Sequence, residues 1–204
     1  MKVDFAGVEH ELGGEMSMHA IHVQWIAEFL GEVAPAEVIE IGSYAGVSTR
    51  AIAAAYDEYI LSTAHLIDMV IRDSVSELAK DREGFRLYQM PSVQALPQIV
   101  SMQDLVVVVD GDHSMGCVAG ELPLVLEKRP LAIVAHDVCA EAAGYSNCDG
   151  AQWLWERLQA DGWHCVVDAR RRAGMATHRG LLIACRNDYV LGHAINSWRK
   201  ACDA

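Results

Sequence analysis

Apolar residues in this chain fall into two alternating kinds of run. Short, nearly unbroken ones occur at 38–41, at 65–68 within the stretch 59–68, and at 85–88, 104–110, 131–135, 163–168 and 180–185. Between them, residues 16–33, 47–56, 70–82, 117–128, 150–161 and 189–201 place apolar positions close to the helical period. In the first of these, Met18, Ile21, Val23, Trp25, Ile26, Phe29 and Leu30 fit one helix, with Ser17 placed to cap it. Residues 104–110 form the clearest strand, because the four valines between Asp104-Leu and Asp110 suit a strand buried on both faces. Strands alternating with helices predict a doubly wound α/β fold, a mostly parallel seven-stranded sheet covered on both sides. The last two runs lie about a dozen residues apart with no helical pattern between them. They are expected to pair as a hairpin that gives the sheet an antiparallel edge strand.

Composition narrows the class. The chain has 204 residues, 52% apolar and 22% charged, which suits one globular domain, with residues 1–33 as an N-terminal helical cap. No repeat or linker divides it. A formal net charge of −12 argues against nucleic acid as a partner. The local exception is Arg170-Arg-Arg172 with His178 and Arg179, which is either a solvated turn or a site for a carboxylate, phosphate or acidic partner. No apolar run approaches the length of a membrane span, and the N-terminus lacks a signal-peptide core, so no membrane partner is expected. The six cysteines are scattered without a C-x-x-C pair, which fits free thiols in a reducing, cytoplasmic setting.

Candidate chemistry clusters where strands end. Val38-Ile-Glu40-Ile-Gly42-Ser-Tyr44-Ala-Gly46-Val-Ser48-Thr49 reads as a buried strand, a tight turn and a helix start, where a nucleoside-bearing cofactor can rest against backbone. It departs from the dinucleotide pattern G-x-G-x-x-G, since Tyr44 stands where the second glycine would be. Asp68 ends the second strand, where an acid can accept both ribose hydroxyls of a nucleoside. Asp110-Gly-Asp112-His113-Ser114 follows the valine strand, and His136-Asp137 ends the next. Adjacent strand ends bring Asp110, His136 and Asp137 together, a set able to hold one divalent cation.

The first motif resembles that of class I S-adenosylmethionine (SAM) methyltransferases. The pair D-G-x-H-S and H-D is similar to a group of small O-methyltransferases related to the catechol-type and macrocin-type enzymes and to cephalosporin hydroxylase. The resemblance covers about residues 35–185. It implies SAM as cofactor, a small-molecule acceptor, and a methyl group passed to oxygen. Glu40, Gly42, Gly46, Asp68 and Asp110 would then position the cofactor, Tyr44 and Ser48 would approach its methionine portion, and Ser92 its adenine. His113 would act as general base, with Asp112 either orienting it or capping the next helix. Asp110, His136 and Asp137 would orient the acceptor, with or without a metal.

Two departures matter. His136 stands where relatives carry Asp or Glu, which disfavours Mg²⁺ and better suits Mn²⁺, Fe²⁺ or Zn²⁺. Residues 126–130 lack the usual glycine pair, a local change at a surface turn. A metal-dependent oxygenase on the same frame and a non-catalytic SAM-binding protein remain as alternatives.

Other residues are read more plainly. His19 and His22 share a helix face or belong to a lid. Trp25, Trp153 and Trp155 are core or interface residues, with Trp25 or Trp153 also a candidate border of the acceptor pocket. Tyr145, Asn147 and Asp149 lie in a loop facing the substrate side. The apolar face of 189–201 (Val190, Leu191, Ile195, Trp198) either docks on the sheet or joins two subunits as a homodimer.

Overall fold

A computed structural model describes residues 1–12, 18–101, 104–139, 148–169 and 179–203. Helices and strands alternate as α1 (Ala20–Val33), β1 (Glu37–Ile41), α2 (Thr49–Asp57), β2 (Thr63–Asp68), α3 (Asp73–Lys80) and β3 (Phe85–Gln89). There follow α4 (Ser92–Ala95), a 3-10 turn (Leu96–Gln98), β4 (Leu105–Val109), α5 (Met115–Glu127) and β5 (Ala132–His136). The chain then forms α6 (Asp149–Ala160), β6 (His164–Asp168), β7 (Leu181–Cys185) and α7 (Asp188–Asp203).

All seven strands join one sheet in the order β3-β2-β1-β4-β5-β7-β6. Neighbours among β1 to β5 run parallel, whereas β7 pairs antiparallel with both β5 and β6. The reversed strand is thus slotted inside the sheet, and β6 forms the outer edge. The order changes direction between β1 and β4, so the crevice at the carboxyl ends of those two strands is where such sheets bind ligands.

Strand residues alternate between two cores. Val38, Val106, Val108, Val134 and Ile183 face the layer that includes Trp25, Phe29, Ile52 and Ala194. Ile39, Ile41, Val107, Val109 and Ile133 face the layer that includes Leu96, Leu122, Val125 and Leu154. With both faces covered, β1, β4, β5 and β7 are buried along their whole length, which accounts for their unbroken apolar spelling.

Several details differ from the sequence reading. α1 begins at Ala20 with His19 in the capping position, and Ser17 lies outside the described residues. α1 is a core helix packed against α7, and none of its residues lines the cavity described below. α7 docks by Val190, Ala194, Ser197 and Ala201, while Ile195 stays exposed. Pro91 precedes one helical turn, α4, and Pro97 sits inside the 3-10 turn that follows it. All six cysteines are free. Among the described residues no helix is long and apolar enough to cross a membrane.

Candidate active site

The turn after β1 is shaped by what Gly42 lacks. Its φ is +86°, and a Cβ there would stand 2.4 Å from the Asp110 carbonyl oxygen and from Gly111 Cα. Gly42 N–H donates to the Ile67 carbonyl at 2.8 Å, and Asp110 N–H to the Ile41 carbonyl at 2.8 Å. The three strand ends of β1, β2 and β4 are thereby drawn together. Tyr44 follows with φ 40°, and the Arg72 guanidinium stacks on its ring at 3.8 Å.

Asp68 closes this turn from the tip of β2. Its Oδ2 accepts the backbone N–H groups of Ser43 at 3.0 Å and Tyr44 at 2.8 Å, and Oδ1 accepts that of Val70 at 3.0 Å. The acid expected to meet a ribose therefore also holds the glycine turn.

A cavity of about 900 Å³ opens over these strand ends. Gly42, Tyr44, Asp68, Ser92, Asp110, His113 and Asp137 line it, with Met69, Met90, Val93, Glu121, Cys148 and Arg179. Glu40, Gly46 and Ser48, read as cofactor contacts, lie outside its lining. Glu40 is fully buried and accepts the Thr49 hydroxyl at 2.6 Å, and its Oε1 has no partner. Burial pushes its carboxyl up to about 8, against the opposing pull of Ser48 and Thr49. Ser48 is buried beside it. The missing Cβ of Gly46 faces Leu78 and Val75 of α3, at 3.2 and 3.4 Å, so this glycine serves packing.

The far end of the cavity holds a compact charge cluster. His136 Nδ1 lies 3.0 Å from Asp110 Oδ1 and 2.9 Å from Asp137 Oδ1. His113 Nε2 lies 3.3 Å from Asp137 Oδ2 and 3.7 Å from Asp110 Oδ1. Arg179 donates to Asp137 Oδ2 at 2.9 Å. Burial opposes charge on His136, but Asp137 and Asp110 outweigh it and lift the imidazole to about 9. Burial also disfavours both carboxylates, yet His136, helped by His113, holds each below the usual range. Two cations, His136 and Arg179, thus stand against two carboxylates at the largely buried end of the cavity.

The cation expected on Asp110, His136 and Asp137 does not fit this arrangement. The imidazole nitrogen that would ligate it stands within 3.0 Å of a carboxylate oxygen of each aspartate, and Arg179 already occupies Asp137 Oδ2. Among the described residues no group of three or more such side chains is disposed to hold a metal ion.

Other expectations resolve individually. Asp112 Oδ1 accepts Ser114 N–H at 2.9 Å, an Asx turn that leads into α5; the helix itself has Ser114 at its N-cap position. Asp149 ties the starts of α5 and α6 by accepting from Met115 and Gly150, each at 3.0 Å. His22 is fully buried, 3.2 Å from Asp168 and edge-on to His136, and does not belong to a lid. Trp25 and Trp153 lie off the cavity wall. Tyr145, Asn147, Arg170 to Arg172 and His178 lie outside the described residues.

Of the two readings given to Arg179, a solvated turn or a group that meets a carboxylate, the second holds: it is only 7% exposed, because β7 runs backwards and its start faces the cavity, and it binds Asp137. One lining residue escaped the sequence reading. Glu121 accepts the Ser92 hydroxyl and lines the cavity beside it. Its signal was an acid within the otherwise uncharged run 117–126.

A methyltransferase domain model matches residues 39–138. No curated protein matches the chain at the sequence level. Among solved structures, the O-methyltransferase TomG of Streptomyces achromogenes, in complex with SAM, is 16% identical, with 89% of this chain and 86% of that one covered and a TM-score of 0.64. The Podospora anserina methyltransferase PaMTH1, bound to S-adenosylhomocysteine (SAH), is 15% identical over 85% of this chain and 81% of its own, with a TM-score of 0.68. A precorrin 8w decarboxylase from Methanobacterium thermoautotrophicum is 15% identical over 92% of this chain and 100% of its own, with a TM-score of 0.59, so the fold alone does not fix the chemistry. The glycine turn, the sheet with its slotted reversed strand and the matched domain agree: residues 39–138 are a methyltransferase domain, and the chain has the fold of the class I methyltransferases it resembles.

Proposed function

We propose that this protein transfers the methyl group of SAM to an oxygen of a small-molecule acceptor, releasing SAH. The observation that carries this reading is the single cavity that joins the Gly42 turn and Asp68 to His113 and Asp137. Donor and base share one chamber. The SAM and SAH bound in the TomG and PaMTH1 structures, and the O-methyltransferase activity in the TomG name, support the same reading.

When bound, SAM supplies an electrophilic methyl on a cationic sulfonium. Carboxylates in the lining (Asp68, Asp110, Asp112, Glu121, Asp137) outnumber its basic side chains, Arg179 and His113, which favours a cationic ligand. Asp68 keeps lone pairs for ribose hydroxyls beyond those given to the turn. His113, held by Asp137 through Nε2 and lining the cavity, is the group that takes the proton of the acceptor hydroxyl. Asp137 orients the imidazole, while Arg179 and His136 hold Asp137. Rate enhancement comes chiefly from holding oxygen, methyl and sulfur in line.

Calorimetric titration with SAM and SAH tests the donor; absence of heat with both would sink it. With an acceptor found by screening for SAH release, His113→Ala should lower turnover by roughly 10²- to 10⁴-fold and leave SAH affinity within about threefold. Unchanged turnover would remove His113 from the base role.

A further inference from the structure

The helix after β4 carries an acid that methyl transfer does not use. Glu121 sits on α5 among Val118, Leu122 and Val125, where a nonpolar residue would pack at lower cost. It is 3% exposed and lines the cavity. Oε1 accepts the Ser92 hydroxyl, and the Cys117 thiol lies 3.4 Å away. These bonds fix the carboxyl group. Oε2 makes no hydrogen bond among the described residues, so an acceptor stands ready for a donor from a ligand.

The strand order says which part of the ligand reaches it. Asp68 meets the ribose at the tip of β2, and the reacting end lies beyond β4 with Asp110 and His113. Ser92, which binds Glu121, follows β3, the strand next outward from β2. Met69, Met90 and Val93 supply apolar surface there for a flat ring. The nucleobase of the donor is the part left for this end, and adenine presents a 6-amino group.

We propose that Glu121 selects the nucleobase of the methyl donor, its Oε2 accepting a hydrogen bond from the 6-amino group of adenine and rejecting a 6-oxo purine. This rests on the SAM reading above. A 6-oxo purine turns an oxygen toward Oε2 and leaves both acceptors unpaired, the kind of mismatch that sites built on hydrogen bonds reject strongly.

The test is calorimetric titration of SAH and of S-inosyl-L-homocysteine into the wild type, Glu121→Gln and Glu121→Ala, each checked for folding by circular dichroism. The wild type should favour SAH by about tenfold or more. Glu121→Gln, whose amide can donate to the oxo group, should narrow the ratio to about threefold or less, and Glu121→Ala should do the same by losing SAH affinity. A wild type that binds both within about threefold, or a folded variant that keeps the wild-type ratio, overturns the assignment while leaving the SAM reading intact. A wild type that binds neither nucleoside overturns both.

Discussion

Gly42 and Gly46 look alike in the sequence but answer to different neighbours. Both adopt the left-handed region, at φ +86° and +84°. A Cβ on Gly42 meets backbone at 2.4 Å, which cannot swing aside, whereas one on Gly46 meets the end of the Leu78 side chain at 3.2 Å. Gly42→Ala combines dihedral strain with overpacking and should cost about 2–5 kcal/mol. Gly46→Ala should cost about 1–2 kcal/mol, mostly from its backbone. Urea denaturation of the two variants checks the order, and equal losses would refute the distinction. The spacing of these glycines was legible in the sequence; the atoms each must avoid depend on β4 and α3 and were not. Glu40 and Ser48 carry the same lesson. Their positions in the motif were plain, but only the fold shows that they lie beneath the turn, behind the cavity wall.

Elements were easier to read than their contacts. Seven apolar runs became seven strands because central strands are buried on both faces and spelled accordingly. Helical faces were harder, since periodicity marks an apolar stripe but not which neighbour covers it; Glu121 was missed for that reason, and the two readings of Arg179 stayed open until the reversed β7 placed its start at the cavity. Trp25 shows what such a stripe does. It is fully buried between α1 and α7, with Nε1 donating to the Ala194 carbonyl at 3.1 Å, Ser197 Oγ also at 3.1 Å, and its ring 4.6 Å from that of Trp198. Trp25→Ala should cost about 3–5 kcal/mol. Trp25→Phe, which keeps a ring but loses the indole donor, should cost about 1–2 kcal/mol. Neither should alter SAH affinity at a temperature where the variant is folded, because α1 does not reach the cavity. A Trp25→Ala protein that melts with the wild type would show that the α1–α7 seam does not hold the fold together.

Across the whole molecule, buried charge sets how stability follows pH. Asp110 and Asp137 are held below the usual 3.8, so their contribution is present above that value and lost as the solution turns more acid. His136 is lifted from 6.5 to about 9, so its contribution is full below 6.5 and disappears as pH rises through about 9. Glu40 is lifted from 4.5 to about 8, so the fold favours its protonated form and loses that advantage between those values. The two raised groups act in the same direction, and the wild type should be more stable near pH 5 than near pH 9, as chemical denaturation would show. Glu40→Gln keeps the shape of the neutral acid and removes its titration. Relative to the wild type, this variant should gain on the order of 2–4 kcal/mol between about pH 5 and about pH 8.5. The fall that remains in the variant should begin only above 6.5, where His136 of the unfolded chain loses its proton while the folded protein keeps it up to about 9. A stability difference that stays constant across this range would mean that Glu40 is already ionised beneath the glycine turn, and that the Thr49 and Ser48 hydroxyls suffice to hold its charge.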